Sequence, residues 1–187
     1  LKKATHKVAT FTTTAEGTSN RLKNIELAAS SFHGRVVQPG EIFSINEATG
    51  PRTKAKGYRD APAIKNGNQL VDEPGGGVCQ VSSTLYNAVL MADLEIVERW
   101  HHSWPSTYVP IGRDATINYG GADFRFKNNR ETPIYLAAYL NGRKLTVEIY
   151  GEPLPDNMEI KVTSQQTATV QPPAPIIEKV STMAPGT

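Results

Sequence analysis

The chain has 187 residues, 39% of them hydrophobic and 20% charged, with a formal net charge of +2. That length suits one domain plus an appendage and allows a sizeable core without disulfides or metals. The charge is too small to argue for nucleic acid or an anionic membrane as partner, and no apolar run approaches the length that spans a bilayer.

β-branched "HKVATFTTT" reads as a strand. "TSNRLKNIELAASSFHG" reads as a helix, because Leu22, Ile25, Ala29 and Phe32 recur near helical spacing. Thr18, Ser19 and Asn20 are its candidate N-caps and Gly34 its stop. "VVQPGEIFS" reads as strand, Pro39–Gly40 turn, strand. The stretch from Asn46 to Pro74 is loop-rich, with Asn66–Gly67 a candidate hairpin turn.

Three glycines, Gly75, Gly76 and Gly77, lead into a second helix from about Gln80 to Ala92. Val81, Leu85, Ala88, Val89 and Ala92 form its apolar stripe. "LEIVERW", "STYVP", "ATINYG" and "FRFKNN" are short strand candidates. "PIYLAAYLNGRKLTVEIYG" is two strands joined at Asn141–Gly142, the signature of a type I′ hairpin. Residues 152–187 are rich in Pro, Thr and Gln and read as a linker toward a further module, with one strand at "MEIKVT". The expected fold class is α+β, two helices packed on a mostly antiparallel sheet with a Pro-rich C-terminal extension.

Cys79 is the only cysteine, so no internal disulfide forms. At the first turn of the second helix it meets unpaired N–H groups and the positive end of the macrodipole, which favour thiolate over thiol. The glycines would let the backbone approach a substrate, and N–H groups around Gly77–Gln80 would form an oxyanion hole. Gln80 and Ser82 place polar side chains nearby.

A thiolate nucleophile needs a base. His101 and His102 follow the helix and the strand leaving it. A helix of this length spans about 20 Å, and a strand running back along it returns the pair toward Cys79. Adjacent strand residues face opposite ways, so one of the two histidines meets the sulfur. Asp114 or Asp123 would orient it. Arg52, if it lies near the glycine run, would hold a carboxylate or phosphate. Trp100 and Trp104 bracket the histidines, as core or as aromatic walls.

Two other readings stand beside this one. Cys79 is also a suitable buried small hydrophobe. Cys79 with one histidine and one aspartate has the chemistry of a zinc set, but no tight ligand spacing supports it, and neither a metal nor a cofactor is expected.

"GGGVCQVSSTLYNAVLMADLEIVER", "HSWPSTYVPIGRDATINYG" and "DFRFKNN", with the helix and strands before them, resemble the VanW family over residues 5–151. The family pattern GGGxCQ followed by an HS pair matches at Gly75–Gln80 and at His102–Ser103, which favours His102 over His101. The resemblance implies an exported bacterial cell-envelope protein, secreted or membrane-anchored, with peptidoglycan as partner and a link to vancomycin resistance. It assigns no catalytic residues. The opening "LKKATHKVATF" has no initiator Met and no apolar leader, and reads as a piece of a longer protein. Two functions follow as expectations. One is a cysteine-dependent hydrolase or acyl transferase using Cys79, His102 and Asp114. The other is a non-catalytic wall-binding or assembly module with Cys79 buried.

Overall fold

A computed structural model describes residues 6–65, 69–171 and 173–174. Its elements in chain order are β1 (His6–Thr14), α1 (Ser19–Ser30), β2 (Val36–Val37), β3 (Ile42–Ser44) and α2 (Ile45–Thr49). There follow β4 (Asp60–Lys65), β5 (Gln69–Pro74), α3 (Val78–Met91), β6 (Glu95–Glu98), β7 (Arg125–Lys127), β8 (Ile134–Asn141) and β9 (Lys144–Gly151). The strands form three antiparallel sheets, ordered β1-β9-β8-β2, β3-β7-β6 and β4-β5. Among the described residues no helix is long and apolar enough to cross a membrane.

The four-stranded sheet is built by alternation. Ile134, Leu136 and Ala138 of β8 and Leu145, Val147 and Ile149 of β9 all turn to one buried face. Against that core pack Ile25, Ala28 and Ala29 of α1 and Val81, Leu85, Ala88 and Val89 of α3. Each large side chain buried there contributes about 1.5–3 kcal/mol. Thr18 caps α1 by accepting the Arg21 N–H at 3.3 Å. α3 is enclosed nearly all round, since Gln80, Ser82, Ser83, Thr84 and Asn87 are buried as well as its apolar stripe. Phe124 and Phe126, in ring contact in line with Phe43 and Phe32, carry the core into the three-stranded sheet.

The α+β class holds, with three helices and three sheets among the described residues where two helices and one sheet were expected. The added helix, α2, is five residues long, too short to show a periodicity, and is capped by Ser44 accepting the Glu47 N–H. β2 and β3 flank the Pro39–Gly40 turn but join different sheets. β4 and β5 form the hairpin expected around Asn66–Gly67, although those two residues lie outside the described ones.

The β8–β9 turn differs from expectation. Asn141 pairs with Lys144, so the central residues are Gly142 and Arg143. Only Gly142 has positive φ, at 58°, which is the type II′ pattern rather than I′. "STYVP" and "ATINYG" are irregular apart from a single bridge between Trp100 and Thr116. "MEIKVT" forms no strand, and its Val162 carbonyl accepts from the Arg113 side chain at 3.0 Å instead.

Candidate active site

The glycine run fixes where α3 begins and what stands beside it. Gly75 and Gly77 have φ of +96° and +104°, a region that side chains disfavour. A Cβ on Gly75 would stand 2.7 Å from the Arg52 Cβ, and one on Gly77 would stand 2.8 Å from the Arg21 Cγ. Gly76 lies against the backbone of Ala61 in β4. The three glycines thus make room for two arginine stems and a strand. They also line the cleft above α3.

At the helix start, the Val78 N–H donates to Gly75 O at 3.1 Å and the Gln80 N–H to Gly77 O at 3.0 Å. Between them, the Cys79 N–H has no acceptor among the described residues. An oxyanion donor expected anywhere from Gly77 to Gln80 is therefore best met by Cys79 itself.

Residues 99–118 follow no regular element, and α3 holds them with polar side chains. Asn87 donates to Arg113 O at 2.8 Å and accepts from Arg113 Nε at 2.6 Å. Ser83 Oγ accepts the Ala115 N–H at 2.9 Å, and Ser82 Oγ donates to Ala115 O. At the end of this seam the Cys79 Sγ sits 3.4 Å from Ile117 O, 3.6 Å from Thr116 Oγ1 and 3.5 Å from the Ile117 N–H that points to it.

The same seam delivers His102 and Asp114. Asp114 Oδ2 accepts both the His102 backbone N–H and His102 Nδ1, each at 2.6 Å. Its Oδ1 accepts from Arg99 Nη2 at 3.1 Å. Ser106 Oγ lies 3.2 Å from the same Nδ1. With Nδ1 engaged, Nε2 is the ring nitrogen left to face Cys79, and both side chains line the cleft, the imidazole near enough to act on the thiol.

The electrostatics follow from this line of groups. Burial pushes the Cys79 thiol pKa up, but the His102 hydrogen bond and charge, helped by Ile117 and Thr116, outweigh burial and hold it below that of an ordinary thiol. Burial pushes His102 down, and its contacts with Cys79 and Asp114 outweigh burial and raise it. Burial pushes Asp114 up, and the His102 N–H and ring hold it below the usual carboxylate range. All three net shifts favour a thiolate–imidazolium pair backed by a carboxylate.

Above the pair lies a cleft of about 930 Å³, lined among others by Gln80, His101, Ser103, Arg52 and the three glycines. His101 is exposed and its Nδ1 lies 2.9 Å from His102 O. Gln80 is buried, donates to Thr13 and Thr14, and accepts from Arg21 Nη2 at 2.8 Å. Ser82 is wholly buried against Ala115 and does not line the cleft. Asp123 belongs elsewhere: it accepts from Ser44 and from the N–H groups of Asn46 and Phe124, holding α2 to the residues before β7. Trp100 and Trp104 are 55% and 43% exposed, so neither is core. Among the described residues no group of three His, Cys, Asp or Glu is placed to hold a metal.

Three contributors were not singled out from sequence. Arg21 extends the buried line of α1 through Ile25, Ala28 and Phe32, and a charge on an apolar stripe is a readable signal. Tyr108, also lining the cleft, has its pKa pushed up to about 12 by burial and the Cys79 charge, so it stays a neutral phenol. Arg99, which braces Asp114, carries no local signal.

The fold and the site together define an α+β domain with a cysteine–histidine–aspartate line at a buried helix start. The family model described as VanW like protein matches residues 20–150, and the chain belongs to the VanW family. It is 47% identical over 131 residues to the uncharacterized protein YoaR of Bacillus subtilis, covering 70% of this chain and 43% of that one. It is 29% identical over 141 residues to the vancomycin B-type resistance protein VanW of Enterococcus faecalis, covering 73% and 51% respectively. The chain thus spans about half the length of the curated relatives it matches. No solved structure matches it.

Proposed function

We propose that the domain is a cysteine-dependent acyl-transfer enzyme of the bacterial cell envelope, working outside the membrane on peptide or isopeptide bonds of peptidoglycan. The observation that carries this reading is Cys79 and His102 lining one cleft, with the His102 ring held by Asp114 and its charge lowering the Cys79 thiol pKa. The naming of a relative for vancomycin resistance supports the envelope as the place of action.

The Cys79 thiolate adds to the substrate carbonyl carbon, and the developing oxyanion faces the Cys79 N–H. The His102 imidazolium gives its proton to the departing amine as the C–N bond breaks, leaving a thioester on Cys79. Water or an acceptor amine then attacks the thioester, passes a proton to His102 Nε2 and expels the thiolate. Asp114 holds the ring so that Nε2 faces the sulfur throughout.

Iodoacetamide tests the nucleophile directly. At neutral pH Cys79 should react fast in the folded protein and more slowly in His102→Ala. A thiol that reacts only on unfolding overturns the reading. Incubation with purified sacculi, followed by mass spectrometry of the released peptides, tests the substrate, with Cys79→Ala as control.

A non-catalytic wall-binding module is the second reading, favoured by the packing of Cys79 against the hydrophobic core. Sacculi that bind the domain and are recovered chemically unchanged would select it.

A further inference from the structure

Two arginines enter the cleft on either side of the glycine run. Arg21 comes from α1, and Arg52 comes from the loop after α2. Their hydrogen bonds go only to neutral oxygens. Arg21 donates to Glu16 O at 2.9 Å and to Gln80 Oε1 at 2.8 Å, and Arg52 donates to Asn46 Oδ1 at 2.7 Å. Neither forms a salt bridge among the described residues. Arg52 Nη1 is shielded from water and has no hydrogen-bond partner.

A cation partly withdrawn from water is ordinarily paired, so two such guanidiniums with no carboxylate in direct ion-pair contact need an explanation. The thiolate, matched by His102, acts on both from a distance, as Glu16 does on Arg21 and Asp123 on Arg52. Asp123 is committed to Ser44, Asn46 and Phe124, and no carboxylate among the described residues bonds either fork. Glu73 also lines the cleft and opposes an incoming anion. The lining then holds two arginines against one glutamate, an excess of one positive charge. Tyr119 lies 5.9 Å from the Arg52 guanidinium carbon and steadies its plane. A fixed planar fork with an idle donor is suited to a carboxylate, which accepts two parallel N–H bonds.

We propose that Arg52, assisted by Arg21, anchors a carboxylate of the acyl donor, so that the cleft selects peptides carrying a free carboxylate near the bond attacked by Cys79. This rests on the reading of Cys79 as the nucleophile.

Iodoacetate and iodoacetamide differ in carboxylate against amide, so the ratio of their rates at Cys79 reads the anchor. Arg52→Gln should lower the iodoacetate rate about tenfold, the scale of one lost charge interaction in a shielded cleft. Its iodoacetamide rate should fall by a smaller factor, because losing the Arg52 charge also weakens the thiolate, so the ratio of the two rates is the readout. Arg21→Gln should lower the ratio by a smaller factor. Arg52→Lys, which keeps the charge and loses the fork, should recover only part of the ratio.

An unchanged ratio in Arg52→Gln overturns the inference. Full recovery in Arg52→Lys overturns it too, since the field alone would then suffice, and that variant decides the matter if Arg52→Gln does not fold. Acetate should slow iodoacetate at constant ionic strength at least as well as inorganic phosphate, and stronger protection by phosphate overturns the choice of carboxylate. Lack of iodoacetamide reactivity in the unsubstituted protein removes the nucleophile reading and this inference together. Normal iodoacetamide reactivity with an unmoved ratio removes this inference alone.

Discussion

The two sides of α3 do different work with different chemistry. Toward the four-stranded sheet it presents Val81, Leu85, Ala88 and Val89, which meet side chains that alternate in and out of a regular surface. Toward residues 99–118 it presents Ser82, Ser83 and Asn87, which bond the amides and carbonyls of an irregular chain. An irregular chain cannot satisfy its own backbone as a sheet does, so the helix must supply the partners. Apolar packing on one side fixes where the helix lies. Polar packing on the other fixes where His102 and Asp114 lie relative to Cys79.

His102→Ala strikes the polar side at its end. Turnover should fall about 10²–10⁴-fold, the usual cost of losing a positioned acid–base group. The pH profile of Cys79 alkylation should move as well. In the unsubstituted protein the thiol titrates below an ordinary thiol, so the thiolate persists to lower pH. Without His102 burial is less opposed, and the midpoint should move upward. A midpoint that stays put would mean that the ring does not act on the sulfur.

Leu85→Ala strikes the apolar side. Leu85 is fully buried, and its truncation should cost about 2–5 kcal/mol in denaturant unfolding. The surviving folded protein should alkylate at the same rate as before, because no link in the seam has been cut. A parallel fall in Cys79 reactivity would show that the apolar side also sets the site, and the division would fail.

The same contrast decides what could be read in advance. Helical periodicity made α1 and α3 legible, β-branched composition marked β1, and the Asn141–Gly142 turn signal marked the β8–β9 pair. Cys79, His102 and Asp114 were legible as residue types, and the return of the chain past α3 followed from its length. Nothing periodic marks 99–118, so the strands expected at "STYVP" and "ATINYG" did not form. Its shape is set by side chains twenty or more residues away in sequence, such as Asn87 on Arg113. The choice between Asp114 and Asp123 depended on that path. Both are buried and bonded, and only the fold tells that one serves His102 while the other serves Ser44 and Asn46.

Asn87→Ala should have the smallest effect on turnover of the two polar-side variants and the most informative pattern. It removes one donor to Ser83 O at 2.7 Å, one to Arg113 O, and the acceptor for Arg113 Nε. Buried groups left without partners cost about 1–3 kcal/mol. Leu85→Ala should leave the thiol's reactivity unchanged, whereas Asn87→Ala, at a comparable cost in stability, should slow iodoacetamide several-fold. The reason is that the carbonyl of Arg113 immediately precedes Asp114, and Asp114 is what holds His102. Amide exchange at Ala115 and Thr116 should quicken in Asn87→Ala and hold steady in Leu85→Ala, relative to each variant's global unfolding. If both variants quicken exchange there equally, the seam is not an independent support of the site but a consequence of the core.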